Sequence, residues 1–398
     1  MPFDVRPPAD DGERDALIDL LCVCFGTPQD SISVGMERVT PEHQRVLVDG
    51  DRVLGGLWQV PMGQWFGGRS VPIVGIAAVG IEAAARGTGA GDALMAGTVR
   101  ELHDRRVPLS CLYPATVNFY RRTGYELAGS RYLIELPLAG LHVKAGDATL
   151  RPGGAEDFDA MAQAYAAMAS SLGGHLDRGR YCWERARQPR GETARHWLVE
   201  EGGAVTGYVS LIQKSAPTLG YELHLSDAVA STTGAVQGVL AFLSGQRSLS
   251  PKAVFSGGDR HPLLLGLSDW SAQVTLGMHW MLRVTHVESA LAARGWAPGV
   301  SGEVSFELVD TVIPDHAGPV RLAVSDGAAT VERSGGGSGE RGATPATRLD
   351  VRGLAALYSG FLSPLEVRRL GLIDGPPEDL ATLGRLFAGP SPSMVDMF

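Results

Sequence analysis

At 398 residues the chain has room for roughly two or three domains, and its 44% hydrophobic and 20% charged residues are ordinary globular values, which excludes wholesale disorder. A net charge of −9 excludes a general nucleic-acid binder, which needs a basic face for phosphates, and suits cationic partners such as amines. Fifty-two glycines and 24 prolines imply many turns, without the period of collagen.

The first third alternates helix and strand. Residues 11–25 place Ala16, Leu17, Leu20, Leu21 and Phe25 on one helical face. Strands are expected at Arg45–Asp49 and Val53–Val60 around Asp49-Gly50-Asp51, then at Gln64–Phe66 and Val71–Ile81 around Gly67-Gly68-Arg69. A glycine cluster at 87–91 opens a helix to about Arg106. Leu109–Tyr113 reads as a buried strand, Ala115–Arg122 as a short helix and Tyr125–Leu136 as a closing strand.

An internal repeat follows at an offset of 145 residues: Val5-Arg6-Pro7 and Leu150-Arg151-Pro152 each precede an acidic helix start. After the second come a helix to about Ser171, strands near 196–200, 204–213 and 220–229, a helix near 235–245 and a strand near 252–256. From about 283 the pattern changes to a helix at Val287–Arg294, strands near 303–309, 319–325, 328–333 and 346–351, and helices ending near Ala388. Ser334–Gly342 reads as a flexible loop. The fold class expected is α/β with mixed sheets: two tandem related units, 1–145 and 146–282, and an α+β unit, 283–398.

Chemistry concentrates at Arg86-Gly87-Thr88-Gly89-Ala90-Gly91. Glycines let the backbone approach an anion closely, and a helix N-terminus adds unpaired amides and partial positive charge. Residues 86–122 carry six arginines against three acids, reversing the overall sign. A phosphate-loop NTPase would need Gly-Lys, which is absent here. A dinucleotide fold would need G-x-G-x-x-G and an acid on the next strand, yet Leu109–Tyr113 has none. Arg86, Gly89 and Gly91 do match R-x-x-G-x-G, and Phe119-Tyr120-Arg121-Arg122-Thr123-Gly124-Tyr125 matches a Y-x-x-x-G-[FY] block.

Those two blocks resemble the GNAT acetyltransferases. The whole chain is similar to the enhanced intracellular survival (Eis) family of bacterial amine and aminoglycoside acetyltransferases, most specifically at 75–125, at 280–296 and in the final Phe398. The resemblance implies two GNAT-like units followed by a sterol-carrier-like domain, with acetyl-CoA as cosubstrate. It implies Val79, Ile81, Arg86, Gly87, Thr88, Gly89, Ala90 and Gly91 as cofactor-binding residues. Tyr120 is implied as the acid that protonates the CoA sulfur, and the Phe398 carboxylate as the base. The second unit reads Ala228 to Gly234 at the matching junction, with no arginine and one glycine, so it is expected to lack a CoA site.

Family members that acetylate aminoglycosides carry one pocket acid in the loop after the first helix, which here reads Cys24-Phe25-Gly26-Thr27, and one just before the terminal phenylalanine, here Met397; Asp30 and Asp396 stand near both places but out of register. Met36 replaces a family tryptophan. A softer, less anionic pocket is expected, walled by Phe25, Met36, Trp58, Trp65, Phe66 and Met397, for a small-molecule or peptide amine. The alternative is a protein that only senses CoA or holds an apolar ligand. Relatives are hexamers, so a homo-oligomer is expected. The four cysteines form no disulfide or zinc pattern, the ten histidines show no ligand spacing, and no metal is expected. The start lacks a signal-peptide pattern, and no apolar run reaches the ~18–20 residues that span a bilayer, so a cytoplasmic protein with no membrane or nucleic-acid partner is expected.

Overall fold

The computed structural model describes residues 3–215, 220–333 and 346–398; the expected loop Ser334–Gly342 lies outside them. The chain folds into two compact units, one built from residues 1–128, 280–389 and 398, the other from residues 129–279 and 390–397. The first and third sequence segments thus share one unit.

The first unit begins β1 (Asp4–Arg6), α1 (Asp11–Phe25), α2 (Gln29–Arg38), β2 (Gln44–Asp49), β3 (Arg52–Phe66), β4 (Arg69–Ile81), α3 (Ala90–Asp104), β5 (Leu109–Leu112) and α4 (Val117–Arg121). Helix α1 starts where the Asp10 carboxylate accepts from the Glu13 amide at 2.9 Å, and stops at Gly26 with φ 59°. Its buried face is narrower than expected: Leu17 and Leu21 are buried, but Phe25 is half exposed. Val53–Val60 and Gln64–Phe66 form one continuous strand, because Pro61 sits in it with no ladder disruption between Pro61 and Val74. Helix α2 was not anticipated; its apolar side rests on Ile32 and Met36 alone.

Strand β6 (Glu126–Pro137) begins in the first unit and continues in the second. There follow β7 (Thr149–Gly153), α5 (Phe158–Ala169), β8 (Leu176–Asp177), α6 (Arg180–Arg187), β9 (Arg195–Glu201), β10 (Ala204–Ser215), β11 (Tyr221–Ala230), α7 (Thr233–Gly245), β12 (Lys252–Gly257), α8 (Pro262–Leu265) and β13 (Gln273–Val284). The last five residues of β13 return to the first unit.

The repeat is visible in the pairing. In the first unit β1, β2, β3 and β4 pair antiparallel in turn, β4 pairs β5 in parallel, and β5 pairs residues 281–284 antiparallel. In the second, β7, β9, β10 and β11 pair antiparallel, β11 pairs β12 in parallel, and β12 pairs β6 antiparallel. The repeated Arg-Pro has one job in both. Arg6 forks onto Glu13 at 2.6 and 2.7 Å, and Arg151 onto Asp157 at 2.7 and 2.9 Å, each tying a first strand to the following helix start.

The remainder of the first unit is α9 (Val287–Ala293), β14 (Gly302–Val309), β15 (Gly318–Ser325), β16 (Ala328–Arg333), β17 (Thr347–Asp350), α10 (Val351–Ser359), α11 (Pro364–Arg369), β18 (Ile373–Asp374) and α12 (Pro377–Leu386). Its sheet runs β16-β15-β14-β17-β18, with β14 and β17 parallel. Leu354, Leu357, Val367, Leu380 and Leu383 cover it from the helices. Asp310 is fully buried, taking Arg283 at 2.5 Å, His316 at 2.9 Å and the amides of Val312 and Ile313. Burial alone would raise this carboxyl. The His316 hydrogen bond and the Arg283 charge outweigh it and hold Asp310 far below the usual range.

In the second unit His175 and His261 are buried, and burial pushes them down to about 3 and about 4. Both stay neutral when folded and titrate near ~6.5 once unfolded. Between those values the unfolded chain binds more protons, so stability falls as pH falls, by at most about 2 kcal/mol per histidine at pH 5. The expected result is a lower thermal midpoint at pH 5 than at pH 7.5; equal midpoints would contradict it.

Candidate active site

Strands β4 and β5 pair only at Ile73–Leu109, Val74–Ser110 and Gly75–Cys111. Further along, β4 is bent by a bulge. Leu57 of β3 faces the two residues Ala78 and Val79, and Ala78 takes φ 49°, a strained value for a residue with a side chain. The strands therefore part after Gly75, and the β4 edge from Ile76 to Ile81 is free of β5. Val79 and Ile81 both lie on this edge and are half-buried.

The glycine loop follows directly. Arg86 is exposed, its Nε donating to the Ile81 carbonyl at 3.2 Å. Gly87 and Gly89 have φ 80° and 92°, and a Cβ at either would meet nothing within 4 Å, so backbone geometry and not crowding requires glycine there. Gly89 caps α3 without a side chain, leaving the first-turn amides of Ala90, Gly91 and Asp92 with no intrahelical acceptor. This is a cradle that a pyrophosphate fits. Thr88 serves the turn, its hydroxyl donating to Ala85 at 2.7 Å. Gly91 is glycine for another reason: a Cβ would lie 2.9 Å from the Phe119 ring.

Tyr120, on α4, is 6% exposed and stands edge-on to Phe119 at 4.9 Å and Tyr125 at 6.2 Å. Burial raises its phenol to about 12, and among the described residues no hydrogen bond acts on it. Phe398 lies where β4 and β5 part. A Cβ at Gly75 would come within 2.6 Å of its ring, and the Tyr113 ring is 5.9 Å away. Gly75 is thus the vacancy that seats the last side chain.

The residues expected to wall an acceptor pocket differ in burial and in what they touch. Met36 and Trp58 are both buried and satisfied by each other, the indole N–H pointing at the Met36 sulfur at 3.1 Å. Phe66 is core, 1% exposed and edge-on to Tyr358 at 5.2 Å. Trp65 is half-buried, and Phe25 is half exposed at the end of α1. Met397 lines a cavity of about 450 Å³ in the second unit, together with Met168, Phe255, Met278, Asp227 and Asp396.

That cavity exposes a cluster the sequence hid. Arg178, with 1% of its side chain exposed, donates to Asp396 at 2.9 and 3.1 Å and to Asp227 at 2.5 and 3.1 Å. Tyr208 donates to Asp227 at 2.7 Å and Tyr165 to Asp396 at 3.3 Å. No spacing links residues 165, 178, 208, 227 and 396, so no motif could have announced them. The tail itself is pinned. The Ser130 amide donates to Pro392, the Met394 amide to Ser130, the Ser393 amide to Gly173, and Arg131 Nε to Val395.

The second unit differs at the matching junction. At the start of α7 the Glu201 carboxylate accepts from the hydroxyls of Thr206 and Thr232, and a Cβ at Gly234 would lie 2.0 Å from it. Those hydrogen bonds hold the carboxyl below its ordinary value. An internal anion occupies the helix end that a pyrophosphate would need. Among the described residues no group of three or more His, Cys, Asp or Glu could hold a metal ion, and no helix is long and apolar enough to cross a membrane.

Comparison with known families matches an acetyltransferase (GNAT) domain at residues 4–128, a second acetyltransferase (GNAT) domain at 174–284 and a sterol carrier protein domain at 287–395. Among solved structures the chain is similar to a GCN5-related N-acetyltransferase from Anabaena variabilis, with 31% identity, full coverage of both chains and a TM-score of 0.92. A GCN5-related N-acetyltransferase from Kribbella flavida is 28% identical over 100% of this chain and 99% of its own, at a TM-score of 0.85. Eis1 from Mycobacterium abscessus shares the fold at 20% identity, with both chains fully covered and a TM-score of 0.79. No curated protein matches the sequence significantly.

Proposed function

Since the chain belongs to the GCN5-related N-acetyltransferases, a family of acyltransferase enzymes, we propose that it moves the acetyl group of acetyl-CoA to a primary amine of a small molecule or peptide, within the Eis-like branch of that family. The observation that carries this is the open glycine cradle, Arg86 to Gly91, set directly after a strand edge freed by the Ala78 bulge. In this reading the amides of Gly89 to Gly91 and the Arg86 guanidinium hold the pyrophosphate, and the backbone of Val79 and Ile81 aligns the pantetheine arm.

Bound acetyl-CoA would supply an activated acetyl group as a thioester. The Phe398 carboxylate takes a proton from the attacking amine nitrogen, directly or through one water. An amide of the bulged β4 edge near Val79 faces the developing oxyanion. As the carbon–sulfur bond breaks, the Tyr120 hydroxyl gives its proton to the sulfur and recovers one from solvent. Glu201 at the head of α7 supports a single cofactor site per chain. The resemblance also carries a homohexamer, which sedimentation would test.

Two measurements test the reading. Arg86→Ala is expected to weaken acetyl-CoA binding about tenfold, with one site per chain in calorimetry, because it removes one charge-assisted contact. Unchanged affinity would place the cofactor elsewhere. Adding residues after Phe398 converts the carboxylate into an amide, and turnover is expected to fall at least about tenfold with acetyl-CoA affinity kept. Full turnover with an extended C-terminus would exclude the terminal carboxylate as base.

A further inference from the structure

We propose that the sterol-carrier-like segment positions the acid Tyr120, through a relay that runs from Arg352 to Glu126 to Arg121. This rests on the reading above, in which Tyr120 protonates the departing sulfur. Arg352 belongs to the stretch matched to a sterol carrier protein domain and Glu126 to that matched to the first acetyltransferase domain, and both lie in the first compact unit.

Helix α4 cannot hold Tyr120 by itself. It is five residues long and its first turn has no side-chain cap, so it depends on tertiary support. Beyond it the chain turns back through Gly124 at φ 84°, with the Thr123 hydroxyl and the Tyr125 amide donating to the Tyr120 carbonyl at 3.0 and 3.3 Å. Glu126, with 1% of its side chain exposed, fixes this turn from both sides. Its Oε1 accepts from Arg121 Nη2 at 2.6 Å and from the Leu127 amide at 3.0 Å. Its Oε2 accepts from Arg352 Nη2 at 2.6 Å and Nε at 3.0 Å. Burial alone would raise this carboxyl; the hydrogen bonds from Arg121, the Leu127 amide and Arg352 outweigh it and hold Glu126 below its ordinary value, so it stays charged.

Arg352 is held in turn. Its own amide donates to Asp350 at 2.8 Å in the first turn of α10, whose Val351, Leu354 and Leu357 are buried. A second guanidinium supports the same turn: a Cβ at Gly124 would lie 2.7 Å from Arg283 Nε, and Arg283 donates to Asp310. The direction of the Tyr120 ring therefore depends on a residue 226 positions from Glu126. Proton transfer to a breaking carbon–sulfur bond tolerates little displacement of the donor, which makes that support a determinant of rate.

The test joins a spectroscopic readout to kinetics on the full chain. Incorporated 3-fluorotyrosine, with the Tyr120 resonance identified by its loss in Tyr120→Phe, reports the ring's surroundings without any ligand. Arg352→Gln leaves Glu126 its Arg121 and Leu127 partners; it is expected to move this resonance toward the free amino acid's position, and Arg352→Lys to move it less. CoA release from acetyl-CoA with 2-phenylethylamine or spermidine is expected to show kcat about tenfold lower in Arg352→Gln, with acetyl-CoA affinity in calorimetry kept within about twofold. In the Tyr120→Phe background the same substitution is expected to change kcat by less than about twofold, since no proton remains to be aimed. An unmoved resonance, an equal kcat loss in both backgrounds, or a matching loss of acetyl-CoA affinity would overturn the relay. Full kcat in Tyr120→Phe, or no CoA release with either amine, would instead count against the acetyl-transfer reading, while the resonance still decides whether Arg352 positions the ring.

Discussion

Tyr120→Phe is expected to lower kcat by about 10²–10⁴-fold while acetyl-CoA affinity stays within about twofold. Only an oxygen is lost: the ring keeps its contacts with Phe119 and Tyr125, and among the described residues the hydroxyl has no hydrogen bond whose removal would disturb the fold. With its phenol raised to about 12 by burial, Tyr120 stays protonated throughout the working range and can act only as a donor. Giving that proton to a thiolate whose conjugate acid lies near ~8.5 is uphill by about 5 kcal/mol, so the transfer must accompany carbon–sulfur cleavage. The sign of the pH dependence follows: no loss of rate attributable to this group is expected as pH rises to about 10. Single-turnover kinetics separates the outcomes. An unchanged chemical step in Tyr120→Phe would remove the residue from the mechanism, and a matching loss of cofactor affinity would make its role structural.

Arg178→Met is expected to cost about 3–5 kcal/mol of stability in denaturant unfolding, because it leaves two buried carboxylates with no cation between them. Asp396 already sits above its ordinary value. Burial raises it, the Arg178 charge opposes, and Asp227 adds to the rise. A carboxyl with a raised folded value contributes stability that is present below its unfolded value of about 3.9 and lost as pH rises. The Arg178→Met protein should therefore lose less stability at pH 4 than at pH 7. Adding Asp227→Asn should recover part of the loss, since one uncompensated charge is removed. A loss below about 1 kcal/mol, or one independent of pH, would show that the cluster is solvated and that its short contacts carry little energy. Because Asp396 stands two residues before Phe398, turnover is expected to fall in the same variant at temperatures where it remains folded.

Local signals were read correctly where the physics is local. The helix read over residues 11–25 is α1, which the structure shows bounded by the Asp10 side-chain acceptor and the left-handed φ of Gly26, and the arginine-proline repeat marked two units that share one strand order. What the expected wall residues pack against was not legible, because an aromatic residue's sequence position does not reveal what its ring touches. Phe66 meets Tyr358, nearly 300 residues away, and Trp58 meets Met36 on a helix whose weak apolar stripe gave no warning.

By itself the sequence determined the order of elements, the tandem α/β units, the glycine loop at Arg86–Gly91 that opens a helix, and the GNAT family, because caps, glycine conformations and apolar periods act over a few residues. Tertiary structure alone decided the rest: Gly75 as the seat of the Phe398 ring, Glu201 filling the second helix end, and Arg178 shared between Asp227 and Asp396. Those contacts join residues as far apart as 75 and 398 or 178 and 396. Coulomb energy and packing depend on distance in space, and chain spacing at that separation carries no trace of it.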